Sequence, residues 1–254
     1  MLFTKYVYKL FISGFPWIAH NPFTNNQFHA SFNVHPQSTY INYKLNDNQY
    51  NKIRKFINSF DNNLKLSTIS IDDNTKDKFL SINIYNCSSP LFSIFDKKDI
   101  TRCEINTYVV DKKTEKKGTL IMDYDSNFLS MDPVNIFKMP GVPLFEKEGN
   151  NIICEAESDY FKFNMKYGIK KNDRNYVVNN ELHEFSDNIY YNNGIFDKLY
   201  YDTSLTLAKL KIPYKIKNLE FTFCDILFDE PYSIFYFKDE IRFSGCMWDN
   251  ILTN

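Results

Sequence analysis

Alternation with a period of two runs through most of this chain and limits what it can become. In "DYFKFNMKYG", Phe161, Phe163, Met165 and Tyr167 fall on one side of an extended backbone, and Lys162, Asn164 and Lys166 fall on the other. That is the pattern of a strand with one face in a core and one in water. "STYINYKL", "FLSINIYN", "TRCEINTYVV", "GTLIMDY", "NIICEAES", "NLEFTFCDILF" and "YSIFYFKDEIRFSG" read as further strands, rich in β-branched and aromatic residues and bounded by Asn, Asp, Lys and Gly. With 24 Phe and 18 Tyr in 254 residues, such strands have ample apolar surface for a real core.

Helices are few. "NDNQYNKIRKFINSF" offers Asn46 or Asp47 as N-cap, followed by Tyr50, Ile53, Ile57 and Phe60 at helical spacing, which predicts a helix over 47–60. In "DPVNIFKM", Asp132 can accept the unpaired N–H groups of a first turn and Pro133 loses no bond at N1, so a short helix is expected from Pro133 to Met139, stopped before Pro140. A third helix is read in "IFDKLYYDTSLTLAKL". Many antiparallel strands with two or three helices imply a mainly β (α+β) sandwich or barrel with helices on its flanks. No repeat and no Gly/Ser-rich linker divides the chain, so a single domain over 30–254 is expected, preceded by an N-terminal arm over 1–29.

The net charge of −1, with Lys and Arg spread along the chain, advertises no nucleic-acid partner. Abundant Asn, Lys, Ile, Tyr and Phe fit coding in an A+T-rich genome and say little about chemistry. Cys87, Cys103, Cys154, Cys224 and Cys246 are odd in number and lack a C-x-x-C, against a disulfide framework or a zinc knuckle and in favour of a reducing, cytoplasmic home. The opening "MLFTKYVYKLFISGFPWIAH" is broken by Lys5, Lys9, Gly14 and Pro16. It falls short of the ~20 apolar residues of a membrane span, so no transmembrane segment is expected.

Strong catalytic motifs are absent: there is no G-x-G-x-x-G, P-loop, H-E-x-x-H or G-x-S-x-G. His29 and His35 would share a strand face but lie about 20 Å apart at ~3.3 Å per residue, too far to share a metal. The "DDNTKD" around Asp73 lacks the glycine and terminal glutamate of a calcium loop. Neither a metal nor a cofactor is expected. One constellation stands out. In "TRCEINTYVV" alternation puts Arg102, Glu104, Asn106 and Tyr108 on one face and Cys103, Ile105, Thr107 and Val109 on the other. That polar face either meets water or lines a barrel interior, where Arg102 and Glu104 would polarise one another around a small polar ligand; alternation alone leaves both open.

The order of these landmarks resembles the acetoacetate decarboxylase superfamily, including its branch of decarboxylase-like proteins. "STYINYKLNDNQYNKIRKFI" looks like that family's opening strand and helix, and "RCEINTYVVDKKTEKKGTLIMDYDSNFLSMDPVNIFKMPGVPLF" like its glutamate-bearing strand, hairpin, short helix and Pro-containing turn. "NLEFTFCDILFDEPYSIFYFKDEIRF" is similar to its closing strands, and the likeness covers residues 30 to 245 as a pattern without a long identical run. It implies an antiparallel, cone-like β-barrel of two sheets with an internal cavity. Its decarboxylases form a Schiff base on a lysine after the proline of that turn, beside a second lysine that lowers the amine's pKa. Those two positions fall near Gly141 and Val142, neither of which can form an imine. The family's arginine falls near Pro36 and the glutamate of its second strand near Ser81, leaving Glu104 of the acid–base set.

The resemblance therefore implies a barrel that binds a small organic ligand at Glu104, Arg102, Asn106, Gly141 and Val142 without Schiff-base decarboxylation, Glu104 being the candidate for any catalysis that remains. One alternative is a structural or interaction module whose barrel is filled solid. Another is a lyase-like enzyme acting on a small oxo acid through a displaced lysine, Lys138 or Lys147. Self-association into a homo-oligomer is compatible with each.

Overall fold

The computed structural model describes residues 19–20, 28–71, 75–88, 99–128, 139–170, 175–177, 184–185, 188–191, 194–201, 206–209 and 216–246. The helix α1 is Asp47–Phe60. Strands β1 (Ala19–His20), β2 (Phe28–Val34) and β3 (Thr39–Lys44) precede it. After it come β4 (Leu64–Leu66), β5 (Ile69–Ser70), β6 (Lys76–Asp77), β7 (Phe79–Ser88), β8 (Asp99–Asp111) and β9 (Lys117–Ser126). Next are β10 (Leu144–Glu148), β11 (Asn151–Glu157), β12 (Phe161–Gly168), β13 (Asn175–Val177), β14 (Asn188–Tyr191) and β15 (Gly194–Tyr201). The series closes with β16 (Thr206–Lys209), β17 (Ile216–Phe223), β18 (Ile226–Phe228), β19 (Ser233–Phe237) and β20 (Ile241–Cys246).

The long strands β7, β8 and β9 form a continuous antiparallel meander, Ser81 opposite Asn106 and Glu104 opposite Tyr124. From there the pairings return on themselves: β9 to β14, β14 to β15, β15 to β20, β20 to β2, and β2 back to the end of β7. Seven strands thus make a closed circuit, antiparallel except at β9–β14. Gly118 permits the β9–β14 join, because a Cβ there would sit 2.5 Å from the Tyr190 ring. β3, β19, β16 and β13 extend the same sheet from β7.

A second, five-stranded sheet runs β10-β11-β12-β17-β18 and packs on the outside of this meander. The alternation read in "DYFKFNMKYG" is its cause: Phe161, Phe163, Met165 and Tyr167 are buried with Ile41, Ile82, Ile84, Cys103 and Ile105 of the large sheet. Aromatic rings interlock there, Tyr43 lying 4.9 Å from Phe221 and 5.5 Å from Phe228 between centroids. Each such ring contributes roughly 1.5–3 kcal/mol by leaving water. Helix α1 starts at Asn46, whose side chain accepts from the Gln49 N–H while Gln49 Oε1 accepts from the Asn46 N–H, a reciprocal capping box. It buries Ile53 and Ile57, and Phe56 meets Phe223 edge-on at 5.1 Å.

A circuit has two faces, and the packing tells which is which. Cys103 and Ile105 of β8 lie on the outer side, buried with residues of the second sheet. Arg102, Glu104, Asn106 and Tyr108 therefore look inward. A bulge in β9 adjusts this assignment: Ile105 pairs with Asp123 but Asn106 pairs with Ile121, so Met122 is an extra residue and the sides of β9 exchange there. Tyr124 consequently shares the inner face with Glu104, while Asp123 and Asp125 share the outer one with Cys103.

The mainly β, double-sheet architecture and the helix over 47–60 agree with the sequence reading; three details differ. "IFDKLYYDTSLTLAKL" contains strands β15 and β16 in place of the expected helix. Its aromatic and β-branched residues suit either state over so short a run, and pairing of β15 with both β14 and β20 decides for strand. "NLEFTFCDILF" is the β17–β18 hairpin, turned at Cys224 and Asp225 with φ of 49° and 58°, the doubly left-handed turn that matches strand twist. "YSIFYFKDEIRFSG" likewise divides into β19 and β20. The expected short helix over 133–139 lies, apart from Met139, outside the described residues, as do Asp73 and most of the arm over 1–29, of which β1 and the start of β2 join the sheet. Among the described residues no helix is long and apolar enough to cross a membrane, no group of side chains could hold a metal ion, and Cys87, Cys103, Cys154 and Cys224 are free thiols.

Candidate functional site

The inner face of β3, β7, β8 and β19 is polar yet dry. One half of it is a completed hydrogen-bond network centred on Asn42. Its Oδ1 accepts from Ser81 Oγ at 2.7 Å and Tyr108 OH at 3.3 Å, and its Nδ2 donates to Ser233 Oγ at 3.1 Å. Over this network lies an apolar cap of Ile69, Ile71, Phe79, Phe185 and Phe235, with the Tyr108 ring edge-on to Phe185 at 5.4 Å. Burial pushes the Tyr108 phenol above its ordinary range, so it serves as a donor.

Toward the start of β8, at Arg102 and Glu104, the arrangement changes. Arg102 Nε donates to Glu104 Oε1 at 2.5 Å, and its guanidinium lies 4.0 Å above the Tyr124 ring. The Tyr85 hydroxyl, from the facing strand, donates to the same Oε1 at 3.0 Å. Burial and the adjacent Glu104 carboxylate push the Tyr85 phenol well up, which holds it protonated as a donor. Glu104 is only 7% exposed and Asn106 only 3%, so the face read in the sequence as meeting either water or an interior is an interior one. Beside this ion pair sit two acceptors without donors. Asn83 Oδ1, directly opposite Glu104, and Asn106 Oδ1, two residues along, are buried and find no hydrogen-bond partner among the described residues. An orphaned buried carbonyl costs about 1–3 kcal/mol, a cost that a bound donor would remove. Tyr43 OH is also unpartnered among the described residues, but it stands among the Phe221 and Phe228 rings. Only the asparagine pair converges with a charged group. Apolar walls complete this end: Cys87, Ile100, Val34 and Phe128 cluster beside Tyr85, and burial pushes the Cys87 thiol up to about 12.

Gly141 and Val142 are not brought to this cluster. Val142 is 91% exposed. Gly141 donates its N–H to the Ser126 carbonyl at 2.8 Å and lies against Asp125, on the outer face. A Cβ at 141 would stand 1.9 Å from Asp125 Oδ1, so the glycine makes room for a buried carboxylate, which also accepts from the Glu157 N–H at 3.2 Å. Nearby Asp123 accepts from Ser158 Oγ. The stretch "MPGVP" thus seats an acid where the resemblance would seat an amine. Lys147 projects into solvent from β10, and Lys138 lies outside the described residues. Alternation found Arg102, Glu104 and Asn106; it missed Tyr85, Asn83 and Tyr124, whose signal is visible only once the registers of β7 and β9 against β8 are known. A separate cleft of about 450 Å³ opens between the turn at Pro36 and β10, lined by His35, Gln37, Asn86 and Lys147 among others, and does not include Glu104.

No protein-family model and no curated protein sequence matches the chain. Solved structures do. The enduracididine biosynthesis enzyme MppR, determined with HEPES buffer bound, superposes with a TM-score of 0.52 at 8% identity, over 88% of this chain and 87% of its own. An acetoacetate decarboxylase from Legionella pneumophila superposes with a TM-score of 0.50 at 10% identity, over 94% of this chain and 96% of its own. At such identities likeness speaks for architecture and leaves chemistry to the side chains. The chain has the fold of acetoacetate decarboxylase and its structural relatives.

Proposed function

We propose that this protein binds a small, partly apolar organic molecule inside the strand circuit, at Glu104, Arg102 and Asn106, and that it does not carry out Schiff-base decarboxylation. The observation that carries the reading is the pair of unpartnered buried oxygens on Asn83 and Asn106 beside the Arg102–Glu104 ion pair. Buried polar groups are ordinarily satisfied, and several converging on one spot between aromatic walls are the usual make-up of a ligand site. Against imine chemistry stands the absence of an amine at 141 and 142, where Gly141 abuts Asp125.

Native mass spectrometry of the purified protein, searched without bias for co-purifying small molecules, tests the first part: one species retained by the wild type and lost from Glu104→Ala is expected. If both proteins carry the same species, the site lies elsewhere. Borohydride reduction in the presence of acetoacetate tests the second. No lysine adduct is expected, and an adduct on Lys138 or Lys147 would establish a displaced nucleophile.

A further inference from the structure

We infer that the second carboxylate oxygen of Glu104, Oε2, selects what the inner site takes: a small molecule with a proton-bearing donor, in the simplest case a hydroxyl, beside a carbonyl or carboxylate. This rests on the reading that the Glu104 cluster is a ligand site. It adds the chemical class and a positioning residue, Tyr85.

Two donors fall on one oxygen of this carboxylate. Arg102 Nε meets Glu104 Oε1 at 2.5 Å and the Tyr85 hydroxyl meets the same atom at 3.0 Å. Tyr85 stands directly opposite Arg102 across the β7–β8 pair, and the guanidinium is stacked on the Tyr124 ring, so Oε1 is clamped from both strands. No donor among the described residues reaches Oε2. The Glu104 side chain keeps 10% of its surface exposed, so the carboxylate is not sealed.

The neighbouring amides do not choose between donors and acceptors. Asn83 Oδ1 and Asn106 Oδ1 have no partner among the described residues, and the two amide nitrogens make no hydrogen bond there either. Such an amide serves a ligand's donor through its oxygen and a ligand's acceptor through its nitrogen, so it accommodates a neutral carbonyl or a carboxylate alike. A carboxylate oxygen has no proton to give and is satisfied only by a donor. The demand for a proton-bearing group therefore comes from Oε2. Asn83 lies directly opposite Glu104, a relation that puts Cβ atoms about 4.5–5.5 Å apart. The group that donates to Oε2 and the group that accepts from the amide thus sit close together on the ligand.

The test compares probes that differ by one O–H. Methyl lactate and methyl 2-fluoropropionate are close in size and only the first has a proton to donate; lactate and 2-fluoropropionate repeat the comparison with a charged acceptor. Each is titrated into the full-length protein and followed by ligand-observed NMR at millimolar concentrations. The hydroxy member of a pair is expected to bind at least about tenfold more tightly than its fluoro partner, the effect of one hydrogen bond to a charged group. That preference is expected to fall below about threefold in Glu104→Gln, where an NH₂ replaces the free oxygen. It is expected to shrink in Tyr85→Phe, which removes one of the two donors that fix Oε1, while the fluoro probes bind as before. If Glu104→Gln does not fold, the wild-type ratios and Tyr85→Phe still decide. Equal or tighter binding of the fluoro member, or a preference unchanged in Glu104→Gln, overturns the inference while leaving a small-molecule site at Glu104 intact. A preference unchanged in Tyr85→Phe overturns the role of Tyr85. If no probe binds, the species lost from Glu104→Ala decides, and one without an O–H or N–H overturns the inference. No probe bound and no species lost from Glu104→Ala overturns the site itself.

Discussion

The two halves of the inner face use the same residue types to opposite ends. Around Asn42, each amide atom meets a hydroxyl and an aromatic cap excludes water; around Glu104, the charges are paired but two amide oxygens are left over. Both halves share β7 and β8, and Tyr108 of the first is only two residues along β8 from Asn106 of the second. Polarity inside a β-circuit therefore does not itself mark a site. A finished network is structure; the unfinished one beside the Arg102–Glu104 pair is where the ligand is proposed to bind.

Substitutions can break or sharpen this contrast. The largest effect is expected from Asn42→Leu, which removes the shared amide partner of Ser81 Oγ and Ser233 Oγ and leaves Tyr108 OH only its contacts with Tyr40 and Ser81: a loss of about 4 kcal/mol in urea unfolding, at 1–3 kcal/mol per orphaned group. Glu104→Ala comes next. It leaves Arg102 and Tyr85 without their shared acceptor and is expected to cost about 3 kcal/mol, as breaking a buried pair does, with loss of any bound molecule. Comparable costs with retained ligand would reduce the Glu104 half to structure as well.

Alkaline pH supplies a smaller, graded test. Burial holds the Cys87 thiol on the inner face up to about 12, and raises Cys103 and Cys154 on the outer face, against an ordinary 9.0. Above pH 9 the unfolded chain loses these protons while the folded one keeps them, so stability falls as pH rises, by about 1.4 kcal/mol per unit for each group. Unfolding curves at pH 8 and pH 10 should show that fall, and Cys87→Ala should remove one group's share. A slope untouched by Cys87→Ala would mean that water already reaches the Glu104 half. Smallest of all is Asn106→Leu. Replacing an orphaned amide by an isostere should leave the stability of the unliganded protein within about 1 kcal/mol of wild type, or raise it. A cost near that of Asn42→Leu would erase the distinction between the halves.

Much of this architecture is legible in the amino-acid sequence. Period-two alternation separates the apolar and polar sides of β8 and β12 correctly, and the choice of Asn46 or Asp47 as N-cap marks the start of α1 to within a residue. Three features are not legible there. The exchange of sides at Met122 is a bulge, which leaves no trace in a hydrophobic pattern. The strands β15 and β16 carry a pattern that also fits a helix, and pairing partners that are distant in sequence, such as Cys246 for Asp197 and Phe237 for Leu207, settle it. Gly141 signals a close approach, but that Asp125 is what approaches depends on the fold of the turn against β9.

By itself the sequence determined which residues share a strand face, because side-chain direction in a strand is set by parity alone. It also determined that Gly141 and Val142, which carry no amine, directly follow Pro140. Only the tertiary structure decided which face is inside, since that depends on β2, β14, β15 and β20 closing the circuit and on the second sheet covering the other side. It alone decided, too, that Asn42 is satisfied while Asn83 and Asn106 are not. A hydrogen bond needs two atoms within about 3 Å, and in a sheet those atoms come from strands whose register is a property of the whole fold.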